Sequence, residues 1–185
     1  MGSKYPAYVL YEHIEKAHEK SHEEISRRGT DLLARGLSKY YGVELEEDGI
    51  AKGRYGKPYL VHHPEIHFNI SNSGEYVIVI IAGLPVGIDL QEKKILDMAK
   101  LGKKIFSIDE YREFLASSDQ QDEFFRKWVL KESYVKWTGE GLLHEIKNLP
   151  GTGWHQFLLI DKRYACAVHA EVPLALQVEE AVIYE

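Results

Sequence analysis

The first part of the chain carries apolar residues at helical spacing. Leu32, Leu33 and Leu37 recur at intervals that place them on one face of a helix, and Gly42 stands where such a helix would end. The pattern therefore predicts a helix over residues 8–41. Residues 12–28 are rich in Glu, Lys and His, so we expect this part of the helix to present most of its surface to solvent.

The period of the pattern then changes from helical to extended. Apolar and polar residues alternate over residues 66–71, which is typical of a half-buried strand. Residues 76–82 form a continuous apolar run and predict a central strand. A turn at residues 83–85 leads into residues 86–90, which predict a third strand, antiparallel to the second.

The remainder of the chain again has helices followed by strands. The pattern predicts helices at 95–105, 108–115 and 121–137, the last ended by Gly139 and Gly141, and strands at 156–160, 163–170 and 174–178. Both halves of the chain thus run helix first and then strands that end in a hairpin. These elements predict an α+β fold in which two halves, residues 1–105 and 106–185, share a faint repeat of organisation.

Composition narrows the class of protein. The 185 residues suit one domain and carry a net charge of −6 with no basic face, so a nucleic-acid-binding protein is not expected. No apolar run approaches the roughly 20 residues that a membrane span needs. Cys166 is the only cysteine, which excludes an intrachain disulfide and fits a reducing, cytoplasmic setting.

One carboxylate falls inside the predicted third strand. Asp89 follows a long apolar stretch, where an ionised side chain is unfavourable unless it is paired or bound to a metal. Gln91 lies two residues further on and therefore shares a strand face with Asp89. Two oxygen ligands at this spacing suit a hard cation such as Mg²⁺. A strand-end Asp that accepts a hydrogen bond from a nearby backbone amide is an equally open interpretation.

A polar stretch closes the predicted first strand. Residues 68–74 end in Ser71, Asn72, Ser73 and Gly74, which are residue types typical of a hairpin turn. The same hydroxyl, amide and backbone N–H groups could instead form a polar lip that holds phosphate oxygens. The sequence leaves both interpretations open.

The predicted helix at 121–137 carries two charges on its apolar side. Phe125, Val129, Glu132 and Lys136 fall on one helical stripe, and Trp128 borders it. Glu132 and Lys136 could form an exposed pair at i,i+4, which stabilises a helix by only a few tenths of a kcal/mol. Their place beside residues that favour burial also fits a functional pair.

Four short segments carry these features in a fixed order along the chain. They are Gly56-Lys57-Pro58-Tyr59, Phe68-Asn69-Ile70-Ser71-Asn72-Ser73-Gly74, Val86-Gly87-Ile88-Asp89 and Trp128-Val129-Leu130-Lys131-Glu132-Ser133-Tyr134-Val135-Lys136, followed by Gly139-Glu140-Gly141. Order and spacing resemble the motifs of the 4′-phosphopantetheinyl transferases, above all the surfactin-synthetase-activating type. The resemblance covers roughly residues 25–170, and the segment from Trp128 to Lys136 is its most specific part.

The resemblance implies a fold, a reaction and partners. The fold would be pseudo-dimeric, with two similar halves that each pack helices on a small antiparallel sheet and with coenzyme A between them. A monomeric, Mg²⁺-dependent enzyme of holo-[acyl-carrier-protein] synthase type would move the 4′-phosphopantetheine arm of coenzyme A to a serine of an acyl or peptidyl carrier protein. The other product would be 3′,5′-ADP.

The resemblance also implies roles for individual residues. Asp89 and Glu132 would hold Mg²⁺, Lys57 and Ser71 would contact the phosphates of the nucleotide, and Lys136 would reach the pyrophosphate. Glu132 is a candidate general base for the serine hydroxyl, a role that contributes about 10²–10⁴-fold in rate. A water held by the metal could take that proton instead.

Two positions depart from the family pattern. Asn72 stands where a histidine is common, so its expected contact with a phosphate would be a neutral hydrogen bond. Gln91 stands where a second acid is common, so this metal ligand would be a neutral oxygen, bound directly or through water. A homologue that binds coenzyme A or a carrier protein without catalysis is the alternative that these two positions favour.

A motif of another class lies near the N-terminus. Residues His18 to His22 match H-E-x-x-H, the signature of zinc proteases. The surrounding residues are charged, and no third ligand is evident. We therefore interpret this segment as a solvated surface.

Overall fold

The computed structural model describes residues 5–140 and 146–181, which form nine strands and four helices. The strands are β1 (Tyr5–His13), β2 (Ile50–Lys52), β3 (Pro58–Leu60), β4 (His67–Ser73), β5 (Tyr76–Ala82), β6 (Val86–Glu92), β7 (Trp154–Phe157), β8 (Tyr164–Ala170) and β9 (Leu174–Glu180). The helices are α1 (His22–Tyr41), α2 (Met98–Ile105), α3 (Ile108–Ala116) and α4 (Gln120–Thr138). The predicted α+β class is confirmed.

Two sheets form the centre of the molecule. The four-stranded sheet has the order β4-β5-β1-β9, in which β1 is antiparallel to β5 and parallel to β9. The three-stranded sheet has the order β6-β8-β7 and is antiparallel throughout. Strands β2 and β3 form a separate two-stranded ribbon.

Apolar residues from both sheets pack into one shared core. The buried side chains of Ile78 and Ile80 on β5 share this core with Ile88 and Leu90 on β6 and with Val168 on β8. Each of the five is fully shielded from solvent. Burial of this much apolar surface is the main stabilising term that holds the two sheets together.

Each sheet also carries a helix on its outer face. The predicted apolar face of α1 is confirmed, because Leu32, Leu33 and Leu37 are fully buried against the four-stranded sheet. Gly42 ends α1 with a φ of 65°, a left-handed conformation that glycine adopts without strain. On the other sheet, α4 packs across β6 and β8, and Phe124 and Val129 join a third core with residues of α2 and α3.

The prediction of one helix over residues 8–41 is wrong in its first part. Residues 5–13 form β1, and α1 begins only at His22, after the N-cap Ser21. β1 lies between β5 and β9, so that Val9 is buried in the core between the sheets and Leu10 in the core under α1. Tyr8, Val9 and Tyr11 are residue types enriched in strands, and tertiary contacts on both faces hold β1 in the sheet.

The pairing predicted for the strand at 86–90 is also wrong. β6 does not pair with β5, whose two edges are taken by β4 and β1, but crosses to the second sheet and pairs with β8. β9 crosses in the opposite direction and pairs with β1. Each sheet thus includes a strand from the other side of the predicted boundary at residues 105 and 106.

The remaining predicted elements differ from the structure only at their ends. The helices at 108–115 and 121–137 correspond to α3 and α4, while α2 begins at Met98 and β7 ends at Phe157. Gly139 ends α4 with a φ of 71°, and Gly141 lies outside the described residues. Within residues 5–140 and 146–181, no helix combines the length and apolar character needed to cross a bilayer.

Candidate active site

Asp89 is the buried centre of a polar cluster between β4, β6 and α4. Only 1% of the surface of Asp89 is exposed to solvent. Carboxylate Oδ1 accepts hydrogen bonds from Ser71 Oγ at 3.0 Å and from Lys136 Nζ at 2.6 Å. The Lys136 ammonium also donates to Ser71 Oγ at 2.9 Å. Strand β4, strand β6 and helix α4 therefore each contribute one member of a connected network.

Glu132 lies one helical turn before Lys136 and faces the same cluster. Burial raises the pKa of the Glu132 carboxyl above its ordinary value, the negative charge of Asp89 raises it further, and the Lys136 ammonium opposes both effects. Two carboxylates that influence each other in a partly buried site leave an excess of negative charge. Such a site favours a bound cation.

Gln91 adjoins Asp89 on the same strand face, as the strand period predicts. Its amide Nε2 donates to Asp89 Oδ2 at 3.2 Å. The amide also offers an oxygen, which is a suitable ligand for a hard cation. The oxygens of Asp89, Glu132 and Gln91 thus form a donor set that fits Mg²⁺, although the set holds one negative charge fewer than three acids would.

The polar stretch in β4 holds the neighbouring strand. Asn69 Oδ1 accepts from the backbone N–H of Ile88 at 2.9 Å, and Ser71 Oγ accepts from the N–H of Leu90 at 3.2 Å. Ser73 Oγ accepts from the N–H of Glu92 at 3.0 Å in the same way. Alternate side chains of β4 therefore bind alternate amides of β6, and this polar ladder fixes Asp89 against Ser71. This role of Asn69 depends on how β4 and β6 pack and has no signal of its own in the sequence.

Asn72 lies apart from this cluster. Because side chains alternate along a strand, Asn72 points away from the face that carries Ser71, and it is exposed. Among the described residues, no contact joins it to Asp89, Glu132 or Lys136. Its predicted contact with a phosphate stays a prediction.

Lys57 joins the end of α4 to the start of β6. Its Nζ donates to the carbonyl oxygen of Trp137 at 2.8 Å and to that of Val86 at 3.1 Å. Burial lowers the pKa of the Lys57 ammonium to about 8. A cavity of about 250 Å³ adjoins Lys57 and is also lined by Asn69 and Lys136. Two lysine side chains, Lys57 and Lys136, therefore line the same cavity.

Gly87 allows α4 to approach β6 closely. A Cβ atom at this position would overlap the backbone of Ser133 and Trp137 and would lie 2.9 Å from the Cα of Trp137. Because the obstacle is helix backbone, no side-chain rotation could relieve the overlap. The absence of a side chain at Gly87 therefore lets α4 bring Glu132 and Lys136 to Asp89.

Replacement of Gly87 is expected to lower both stability and turnover. Gly87→Ala should lower the free energy of unfolding by about 1–3 kcal/mol, the usual effect of overpacking, because α4 must move away from β6. Urea unfolding and turnover measure the two effects. Gly83→Ala is the matched control, since an added Cβ there meets no atom within 4 Å. If Gly87→Ala is as stable and active as Gly83→Ala, the close approach has no consequence.

A buried serine and histidine attach α4 to β8. Ser133 Oγ lies 2.9 Å from His169 Nδ1, and the two residues are 0% and 4% exposed. Burial lowers the pKa of His169 to about 4, and neighbouring His155 adds to this effect. His169 is therefore neutral at pH 7 and fixes Ser133, the residue after Glu132. The sequence analysis gave neither residue a role, because their contact joins distant parts of the chain.

The depressed pKa of His169 makes the stability of the protein depend on pH. An unfolded histidine has a pKa near 6.5, so between about pH 6.5 and 4 the unfolded chain binds a proton at this residue that the folded chain excludes. Stability should therefore fall as the pH is lowered through this window. Between pH 7 and pH 5 the contribution of His169 is about 2 kcal/mol.

Urea unfolding of the parent protein and of His169→Asn at both pH values measures this contribution. The loss of stability between pH 7 and pH 5 should be about 2 kcal/mol smaller in His169→Asn. His22→Asn, at an exposed residue, should lose as much stability as the parent. An equal loss in the parent and in His169→Asn would show that His169 is protonated in the folded state.

Two other groups of potential metal ligands lack the features of a built site. His18 and Glu19 lie at a single 3₁₀ turn, whereas His22 begins α1, so the H-E-x-x-H residues do not share one helix, and both histidines are exposed. Ligand atoms of Glu46, Asp48 and His62 lie within 4.8 Å of one another, but all three residues are exposed. Neither group combines burial with a paired cation as the Asp89 cluster does.

Comparisons with known proteins show what the chain is similar to. The model of the 4′-phosphopantetheinyl transferase superfamily matches residues 85–176, a range that includes Asp89, Glu132 and Lys136. The chain is 33% identical over 146 residues to 4′-phosphopantetheinyl transferase Sfp of Bacillus subtilis (strain 168), covering 76% of this chain and 65% of that protein.

Two further relatives match the chain over similar lengths. A 4′-phosphopantetheinyl transferase of Bacillus subtilis is 39% identical over 145 residues, covering 74% of this chain and 62% of that protein. The 4′-phosphopantetheinyl transferase gsp of Aneurinibacillus migulanus is 33% identical over 147 residues, covering 78% of this chain and 58% of that protein. The chain thus spans less than two thirds of the length of these relatives.

Proposed function

We propose that this chain, which is similar to the 4′-phosphopantetheinyl transferase superfamily over residues 85–176, transfers the 4′-phosphopantetheine arm of coenzyme A to a serine of an acyl or peptidyl carrier protein. The single observation that carries the proposal is the cluster of Asp89, Lys136 and Glu132 at the junction of β6 and α4. Its carboxylates suit a metal ion, and its ammonium suits a phosphate group.

The reaction breaks a phosphoanhydride bond of the pyrophosphate and forms a phosphodiester on the serine of the carrier. The serine oxygen of the carrier attacks the phosphorus that bears the pantetheine arm, and the bond from this phosphorus to the bridging oxygen of the pyrophosphate breaks. The serine loses its proton, and 3′,5′-ADP leaves with the bonding electron pair. Two groups are therefore needed, one that accepts a proton and one that stabilises negative charge on the leaving phosphate.

The metal would be held by Asp89 and Glu132, with Gln91 as a neutral third ligand. When bound, Mg²⁺ neutralises charge on the phosphate oxygens and helps to align them for displacement. The observation that supports this assignment is the raised pKa of Glu132, which arises first from burial and then from the negative charge of nearby Asp89. The burial of Asp89 and the partial burial of Glu132 limit competition from water.

Lys136 would stabilise the leaving phosphate as a point charge. Its ammonium already lies among oxygen acceptors, and its side chain is 27% exposed, so it can also contact a ligand. Glu132 is the proposed base for the serine proton, because a carboxyl with a raised pKa is a stronger base near neutral pH. Both residues project from one face of α4, which aligns the two functions.

The nucleotide would occupy the cavity of about 250 Å³ beside Lys57. Lys57 and Ser71 would contact its phosphates, as the family resemblance implies. Lys57 already donates to two backbone carbonyls, and Ser71 is already bonded to Asp89, so each can present only its remaining hydrogen-bonding capacity. The proposed contact of Asn72 requires the ligand to reach the opposite face of β4.

A pseudo-dimeric architecture is part of the proposal. α1, β4, β5 and β6 follow one another as a helix, a hairpin and a strand that crosses to the other sheet. α4, β7, β8 and β9 repeat this order, and β9 also crosses. The boundary between halves at residues 105 and 106 fits this repeat, and we propose that a monomer provides both halves of the coenzyme A site.

Intact-mass measurement of a carrier protein tests the proposed function. Apo carriers from fatty-acid, polyketide and nonribosomal-peptide synthesis would each be incubated with the protein, coenzyme A and Mg²⁺. At least one carrier should gain the mass of one phosphopantetheine arm, which would also show whether an enzyme of holo-[acyl-carrier-protein] synthase type is the right description. Binding of coenzyme A without a gain in the mass of any carrier would support the alternative of a non-catalytic homologue, which Gln91 and Asn72 favour.

The cellular location remains part of the proposal. The lone cysteine, Cys166, is buried in the core, so the fold depends on no disulfide among its described residues. This supports a reducing, cytoplasmic setting for the reaction.

A further inference from the structure

The Lys136 ammonium is hydrogen-bonded to Asp89 Oδ1, a carboxylate oxygen that the proposed metal would also need. Its Nζ lies 2.6 Å from Asp89 Oδ1, within a strong charge-assisted hydrogen bond. The same oxygen accepts from Ser71 Oγ, and Oδ2 accepts from the Gln91 amide. Every neighbour that the structure places on this buried carboxylate is therefore a hydrogen-bond donor.

A metal ion would have to displace donors from Asp89. Mg²⁺ binds carboxylate oxygens at about 2.0–2.1 Å and demands near-ideal geometry, which an ammonium on the same oxygen disturbs. Two cations that share one oxygen also repel each other, and the repulsion is strong where water is largely excluded. Lys136 and the metal therefore cannot both hold Asp89 Oδ1 without loss.

The net charge of the cluster determines how strongly Lys136 would weaken metal binding. Asp89 and Glu132 each contribute one negative charge and Lys136 one positive charge, which leaves −1 when both acids are ionised. Gln91 contributes none. Lys136 thus already neutralises half of the negative charge that a divalent ion would meet at this site. Of the two carboxylates, only that of Glu132 has no hydrogen-bond donor among the described residues.

We infer that Lys136 and a divalent metal ion compete for Asp89, and that a diphosphate relieves the competition by drawing the Lys136 ammonium onto its own oxygens. The inference rests on the proposed function and adds to it a coupling between the two ligands. Coenzyme A should raise the affinity for the metal, and the metal should raise the affinity for coenzyme A by the same factor. Lys136 is the residue through which the two ligands are coupled.

Metal binding without catalysis provides the test. Mn²⁺ would be titrated into the protein without coenzyme A, and free Mn²⁺ would be measured by electron paramagnetic resonance. Lys136→Met keeps most of the aliphatic stem but removes the charge, and it should bind Mn²⁺ at least about tenfold more tightly than the parent, equivalent to about 1.4 kcal/mol. If Lys136 only contacts the pyrophosphate, Lys136→Met should bind Mn²⁺ no more tightly than the parent.

Lys100→Met is the control for net charge. Lys100 is exposed on α2 and has no ion pair among the described residues, so its replacement changes the charge of the protein equally but leaves Asp89 untouched. Its Mn²⁺ affinity should stay within about twofold of the parent. Saturating coenzyme A should tighten Mn²⁺ binding at least tenfold in the parent and much less in Lys136→Met, each tenfold step being about 1.4 kcal/mol.

A second variant separates the possible failures. Gln91→Glu adds a carboxylate at the neutral position and should tighten Mn²⁺ binding without coenzyme A while Lys136 remains. If Gln91→Glu binds Mn²⁺ tightly but Lys136→Met binds like the parent, the competition is overturned and the metal site stands. If no variant binds Mn²⁺ at Asp89, as shown by unchanged binding in Asp89→Asn, both the competition and the metal part of the proposed function are overturned.

Discussion

Asp89→Asn is expected to abolish Mg²⁺-dependent transfer while the protein stays folded. The substitution preserves the shape of the side chain but removes the charge that would hold both the metal and Lys136. A bound metal supplies several kcal/mol of charge stabilisation in the transition state, so turnover should fall at least about 10³-fold. A discontinuous assay of carrier mass at saturating coenzyme A and Mg²⁺ measures this loss.

Stability should change less than turnover in this variant. Removal of one member of a fully buried ion pair often destabilises by about 3–5 kcal/mol, but the Lys136 side chain is 27% exposed and can reach water. Asp109→Asn is the matched control, because that carboxylate is 86% exposed and lies far along the chain on α3. Turnover of Asp89→Asn close to that of Asp109→Asn would remove Asp89 from the reaction.

Lys136→Ala is expected to lower turnover at least about 10²-fold at saturating coenzyme A and Mg²⁺. A preorganised charge at the leaving phosphate is worth about 10²–10³-fold. Because Lys136→Ala leaves the buried Asp89 carboxylate without its cation, the melting temperature should also fall, and turnover is therefore compared at a temperature at which both proteins are folded. Lys136→Arg should recover little activity, because a planar guanidinium does not replace a compact ammonium in the narrow space beside Ser71.

A lysine on the same helix provides the comparison. Lys127 pairs with Glu113 and Glu123 on the far side of α4, so Lys127→Ala should alter stability slightly and leave turnover at the parent level. If Lys136→Ala and Lys127→Ala retain similar turnover, Lys136 has only a structural role. The leaving phosphate would then depend on other groups.

The convergence of the central cluster could be predicted from sequence because its signals are local. Asp89 is a lone carboxylate in an apolar strand, and Glu132 and Lys136 lie on a helical stripe beside Phe125 and Val129. Each pattern states which residues share a face, and an ion inside an apolar face needs a partner. The structure brings Asp89 and Lys136 into direct contact, a pairing that these patterns did not specify.

The means by which the cluster is held could not be predicted. Gly87 acts through the backbone of α4, some 46 residues later in the chain, and Ser133 contacts His169 across a similar separation. Such contacts depend on how close two elements pack, which no local pattern specifies. The same limit explains the place of β1 between β5 and β9, which no local pattern specifies.

The family resemblance and the structure give different information about Lys57. The resemblance implies a phosphate contact, whereas in the structure its ammonium donates to the carbonyls of Val86 and Trp137. These two carbonyls belong to the strand that carries Asp89 and the helix that carries Lys136. A motif therefore identified a residue of the site, and only the structure revealed that this residue also joins the two elements.

The central claim is that the Asp89 cluster transfers a phosphopantetheine arm, and it is tested most directly by measuring both products of one reaction. Intact-mass analysis of the carrier and chromatography of 3′,5′-ADP would be run in parallel for the parent protein and for Asp89→Asn. The account predicts equal molar amounts of modified carrier and 3′,5′-ADP with the parent, and neither product with Asp89→Asn. Modified carrier formed by Asp89→Asn at the parent rate, or no modified carrier from any apo carrier with the parent, would contradict it.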